Sequence, residues 1–182
     1  MRKFLLATFA LAGAMLAASG AQAALLIATI PGNDCSGVFG TGASCTTSGT
    51  YNGTTLNETP LIVKLNPNGT VDQLGLFPTI DGSEFTITLG AQGIVTYTYT
   101  PGVGDPLLQY VVAKGGPNFN IFSVAGSGTD TVNTPVNPNN GRFFGVSHIS
   151  FYDTAVPVPA PAGLALLGAG LLGLGLLRRK AA

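Results

Sequence analysis

Tryptophan is absent from the 182 residues, histidine occurs once and cysteine twice. Without tryptophan the largest sugar-stacking side chain is missing, so any carbohydrate platform has to be built from tyrosine. A single histidine excludes sites that need two imidazoles. Two cysteines ten residues apart, Cys35 and Cys45, form neither a C-x-x-C redox motif nor a zinc ligand set. Charge is scarce as well, at 9% of the chain, and the formal net charge of zero hides an uneven distribution. Five of the eight basic residues, Arg2, Lys3, Arg178, Arg179 and Lys180, stand at the two ends. Residues 24–155 hold three basic against eight acidic residues, a net charge of −5. Such a body has no electrostatic footprint for nucleic acid or anionic lipid.

What is present at the ends speaks of export. Arg2 and Lys3 open the chain, an apolar run follows from Phe4 to Ala18, and Ala21-Gln22-Ala23 is a small-x-small site. This pattern predicts a signal peptide over residues 1–23, cleaved between Ala23 and Ala24. At the other end stand Val156, Pro157, Val158, Pro159 and Ala160. The prolines fix φ and cannot donate backbone hydrogen bonds, so this stretch is expected to be extended and accessible. Eighteen uncharged residues run from Ala160 to Leu177, about 27 Å as a helix and enough for the hydrocarbon core, so a transmembrane span is expected over residues 161–177. Arg178, Arg179 and Lys180 then act as a basic stop-transfer cluster that stays cytoplasmic and leaves the body outside. Within the span Ala165, Ala169 and Gly173 recur at four-residue spacing, a small-residue face on which a second helix can approach.

Taken together, the leader, the proline-bracketed motif, the Gly/Leu-rich span and the terminal basic cluster resemble a PEP-CTERM protein of a Gram-negative bacterium. The motif is of the Val-Pro-x-Pro-Ala type, with Val158 where the family usually has glutamate. The resemblance covers residues 156–182 and the leader. It implies a substrate of exosortase, a membrane processing enzyme that recognises and cuts the tail. It also implies a body that joins the cell surface or the exopolysaccharide matrix of a biofilm, after an intermediate anchored in the inner membrane. No enzymatic activity in this chain is implied.

Between the signals, residues 24–155 make one domain of ordinary size. Export places Cys35 and Cys45 in an oxidising compartment, where a disulfide is the expected state. Phe85, Ile87 and Leu89 alternate with threonines, as do Val95, Tyr97 and Tyr99, which is the period-2 pattern of half-buried strands. Turn signals at 66–69 and at Asp81-Gly82 predict two antiparallel hairpins. Further strands are expected over 25–30, 107–113, 119–125 and 142–152, about eight in all. The prediction is an all-β, antiparallel, jelly-roll-like sandwich followed by the C-terminal helix. Residues 33–57 and 126–140, rich in Gly, Ser, Thr, Asn and Pro, are expected to be long surface loops.

Candidate chemistry is thin. His148 shares a strand face with Phe144, Val146, Ser150 and Tyr152, while Phe143, Ile149 and Phe151 share the other; Ser147 points to the opposite face and Ser150 stands roughly 7 Å along the strand, too far for a direct hydrogen bond. It reads as a structural histidine, because a catalytic one needs a nucleophile or carboxylate beside it. Asp81, Glu84, Asp105 and Asp130 fall in turns or loops without calcium-loop spacing. No Gly-rich segment follows a strand and opens a helix, so nothing cradles phosphate. No catalytic residue, cofactor or metal site is therefore assigned. The leading expectation is a non-enzymatic surface or matrix protein. The alternatives are a carbohydrate-binding module using exposed Tyr and Asn, and an extracellular glycan hydrolase using a carboxylate pair.

Overall fold

The computed structural model describes residues 23–154. The sorting motif Val156 to Ala160, the span 161–177, the cluster Arg178 to Lys180 and the leader up to Gln22 lie outside the described residues. Ala23 is exposed and Ala24 half-buried at the start of the described chain. Among the described residues, no helix is long and apolar enough to cross a membrane.

The elements are strands almost throughout. In chain order they are β1 (Leu25–Pro31), β2 (Ser36–Gly37), β3 (Gly40–Thr41), a 3₁₀ turn (Gly42–Ser44), β4 (Thr50–Tyr51), β5 (Thr54–Thr55), β6 (Leu61–Leu65) and β7 (Val71–Leu74). Then come β8 (Phe85–Leu89), β9 (Ile94–Tyr99), β10 (Leu108–Gly115), β11 (Asn118–Gly126), β12 (Gly128–Asn133) and β13 (Val146–Asp153). Six strands form one sheet in the order β1-β11-β10-β13-β6-β7, and three form another in the order β12-β9-β8. All pairings are antiparallel. The described part of the chain is thus all-β, with two antiparallel sheets face to face as in a sandwich.

Alternation decides what lies between the sheets. Val63 and Leu65, Val111 and Ala113, and Ile149 and Phe151 point from the large sheet into a core that also holds Phe85, Val95, Tyr97, Tyr99 and Val132 of the small one. Phe151 is central there, with its ring centroid 4.4 Å from that of Phe85 and 5.1 Å from that of Tyr97. Each such side chain removed from water contributes roughly 1.5–3 kcal/mol.

The large sheet is apolar on its second face too. Tyr110 and Val112 of β10, Phe119 and Ile121 of β11 and Tyr152 of β13 form a second core with Phe39, Leu56 and the two cysteines. Residues 33–57 are largely exposed, as their composition predicts, but they also bury Asp34, Cys35, Phe39, Cys45 and Leu56 against this face. They lie down as a lid, organised by the small hairpins β2-β3 and β4-β5, because a sheet with two apolar faces has to cover both.

Three other expectations are corrected. The 126–140 stretch contains β12, which pairs with β9 along its whole length. Its turn-rich composition is outvoted by ladder bonds and by Val132, which enters the core. The hairpin around 66–69 forms between β6 and β7, but the turn at Asp81-Gly82 carries the chain from the large sheet to the small one instead of closing a hairpin. Finally, the expected strand over 142–152 begins at Val146. Its register slips by one residue, since Lys114 faces His148 and Gly115 faces Val146. That bulge turns Val146 toward the core between the sheets, away from the His148 face where simple alternation puts it.

Candidate functional site

The most concentrated polar chemistry lies between the lid and β13. On β13, His148, Ser150 and Tyr152 point to one face while Ile149 and Phe151 fill the opposite core, as their alternation predicts. The lid brings Asp34 onto that face. Gly32, at φ +103°, turns the chain out of β1, a conformation that needs glycine. Its N–H bonds to the Pro117 carbonyl at 2.9 Å, and Val38 and Phe39 N–H close the following turn on Asn33 and Asp34 carbonyls. The Asp34 side chain is thereby delivered, fully buried, over β13.

Its carboxylate is satisfied on both oxygens. His148 Nε2 donates to Oδ1 at 2.8 Å, while Ser150 Oγ and Tyr152 Oη donate to Oδ2 at 2.5 and 3.1 Å. The Cys35 N–H donates as well. An ionised carboxylate only accepts, so the proton sits on Nε2 of His148. Burial works to raise the Asp34 pKa, but the His148 hydrogen bond and charge, the Ser150 hydroxyl and the Cys35 amide together outweigh it and hold the pKa at about 2. Lys114 faces His148 across the β10-β13 ladder. It is nearly buried and donates to the Gly116 carbonyl. Burial lowers its pKa, opposed by the Asp34 charge. Tyr152 is pushed well above the ordinary tyrosine range by burial and by Asp34.

The expected disulfide is present and adjoins the cluster. Cys35 and Cys45 are bonded, and the Tyr152 hydroxyl lies 3.2 and 3.4 Å from their sulfurs. One strand thus reads, along a single face, imidazole, hydroxyl and phenol, all converging on one carboxylate, with the phenol also against the disulfide.

This is a clamp by its chemistry. In a nucleophilic triad the imidazole stands between hydroxyl and carboxylate and takes the hydroxyl's proton. Here the carboxylate stands between the other two, and Ser150 donates to it directly. With a pKa near 2 Asp34 is a feeble base, and Ser150 is sealed from solvent. Asp34 was not singled out by the sequence, and only its adjacency to Cys35 hints at it. Its partners lie 114 to 118 residues away.

The other candidate acids stay apart from the clamp. Glu84 accepts from the Gly82 N–H at 2.9 Å, Asp81 from Ser83 N–H at 2.8 Å, Asp105 from Gly102 N–H at 2.6 Å and Asp130 from Thr131 N–H at 2.7 Å. Asp81, Glu84 and Asp105 shape turns, as expected, whereas Asp130, expected in a loop, stands within β12 opposite Tyr97, because that segment pairs with β9. Glu84 and Asp105 line one shallow depression with Thr86 and Thr100. Among the described residues no three His, Cys, Asp or Glu side chains gather as metal ligands. The tyrosines, expected to supply any sugar-stacking surface, are spent on packing: Tyr97, Tyr99, Tyr110 and Tyr152 are buried, and Tyr51 is half-buried against Phe39.

Fold and site define a disulfide-stapled, antiparallel all-β module with a buried Asp34-centred clamp. No family model, curated protein or solved structure matches the chain.

Proposed function

We propose that this chain is an exported, non-enzymatic protein of the cell surface or extracellular matrix. In this reading it is a PEP-CTERM-like substrate, held in the inner membrane by residues 161–177, cut by exosortase at the motif Val156 to Ala160 and retained in the exopolysaccharide layer. The observation that carries the reading is the disulfide within the second core. Cys35 and Cys45 are buried among Phe39, Phe119 and Tyr152, so the lid is built around a bond that forms and persists in an oxidising compartment. This agrees with a leader ending at Ala23. The two-sheet body is read as jelly-roll-like, a rigid module suited to display at a surface.

Mass spectrometry of the mature protein, from cells with and without exosortase, tests the proposal. The expected chain begins at Ala24 and loses the Arg178-Arg179-Lys180 end only when exosortase is present. An intact basic end in both strains would overturn processing.

A further inference from the structure

The two ends of the large sheet are not alike. At one end β1 and β10 begin while β11 and β13 finish. The loops 75–84 and 100–107 lead to and from strands at this end and meet around a shared depression. The described chain also leaves here: Thr154, the residue after β13, donates its N–H to the Leu107 carbonyl at 2.7 Å.

Among the described residues, the three most exposed large apolar side chains all stand at this end. Val103 is fully exposed, and Leu25 and Leu76 are each 70% exposed. Leu26 and Leu107 beside them are about half exposed. Val103 sits at the tip of a turn that Asp105 N–H closes on the Gly102 carbonyl at 3.4 Å, a place where turn chemistry asks for a polar residue. An isolated exposed leucine is ordinary on any surface. Five such residues, gathered at one end from three separate segments, mark an interaction surface.

We propose that this end of the body lies against the outer surface of the membrane that anchors the chain, with Leu25, Leu76 and Val103 in the headgroup–acyl boundary. The proposal rests on the reading of residues 161–177 as a span. The seven residues from 155 to 161 reach no more than about 25 Å even when fully extended. The end that carries the apolar residues is therefore the end that the tether keeps beside the bilayer. Because the tether already confines it there, a few side chains suffice for contact.

The contact is apolar and not electrostatic. No Lys or Arg is at this end: Lys64 is paired with Asp72, and Lys114 and Arg142 lie toward the opposite end. The carboxylates of Asp81, Glu84 and Asp105 accept from amides of their own turns, and Glu58 is exposed nearby. Zwitterionic headgroups suit such a surface. A second copy suits it less, because these acids would face one another with no basic partner.

The chain contains no tryptophan, so a single Val103→Trp reports its own surroundings. The full chain, purified from cells without exosortase, is reconstituted into phosphatidylcholine vesicles with bromine on the acyl chains near the headgroups. Emission is expected to shift to the blue and to fall to about half, since an interfacial side chain lies about 5–10 Å inside the boundary. Val136→Trp, exposed at the opposite end, is expected to emit as in water and to be unaffected by bromine. Adding Leu25→Ser and Leu76→Ser to Val103→Trp is expected to remove most of the quenching, with urea unfolding to establish that each variant is folded. A chain that floats with the vesicles but leaves Val103→Trp unquenched overturns the proposal and leaves the span standing. Quenching that the two serines do not reduce overturns it too, as does a blue shift without quenching that grows with protein concentration, the mark of a second copy. A chain that does not float with the vesicles removes the span, and this contact with it.

Discussion

Asp34 is a carboxylate moved out of water and compensated group by group: an imidazole and two hydroxyls from β13 and an amide from its own turn. Lys114, on the neighbouring strand, adds a positive charge whose own pKa feels Asp34. With a folded pKa of about 2 against the ordinary 3.8, the ionised form is favoured by folding. Its contribution is complete above the unfolded value and is lost as pH falls from about 4 toward 2, a total of roughly 2–3 kcal/mol. Urea unfolding at about pH 6 and about pH 2 measures this. Wild type is expected to lose that increment on acidification, while Asp34→Asn, already weaker at neutral pH because the pair is broken, loses less. An acid loss of equal size in both proteins would remove Asp34 from the centre of the clamp. His148 and Ser150 were legible as neighbours on one strand face. Their partner was not, because nothing local in sequence marks which acid arrives from 114 residues away.

Elements were most legible where period-2 alternation is clean, as in β8 and β9, and least legible where pairing overrides composition, as in β12. The turn between β8 and β9 shows how closely elements approach. Gly93 has φ +75°, and a Cβ there would stand 2.3 Å from Thr134 Oγ1 and 2.5 Å from the Phe144 carbonyl oxygen. Its own carbonyl accepts the Thr134 N–H at 2.9 Å, tying the turn to the segment after β12. Gly104 also has positive φ, at +90°, but open space around it. Gly104→Ala is expected to cost about 1–2 kcal/mol, the conformational penalty alone. Gly93→Ala adds a steric conflict worth another 1–3 kcal/mol or so. Denaturant midpoints of the two variants check the difference, and equal midpoints would mean that the turn yields freely. The packing role of this glycine was not legible in the sequence, because the groups that crowd it, Thr134 and Phe144, come from far along the chain.

For the whole molecule, the decisive feature is a central sheet covered twice, by a second sheet on one face and by the 33–57 lid on the other. The lid has little regular structure of its own, so its staple matters. Replacing both cysteines, Cys35→Ser with Cys45→Ser, is expected to lower stability by about 2–3 kcal/mol through a less restricted unfolded chain. Far-UV circular dichroism should keep its β signature, since the nine strands of the two main sheets do not depend on the bond. The midpoint of thermal or urea unfolding reads the loss. An unchanged midpoint would show that packing of Phe39 and Leu56 alone holds the lid.

By itself, the sequence determined the all-β class of the body, the strands with regular alternation, the oxidised cysteine pair and the faces on which the β13 side chains from His148 to Tyr152 would stand. Those follow from local chemistry: the two-residue period, turn residues and cysteine spacing. Tertiary structure alone decided which segment covers the second face, where the sheet register slips and that Asp34 meets His148. The reason is that alternation states which way a side chain points, whereas what comes to lie opposite it depends on contacts between strands far apart in the chain.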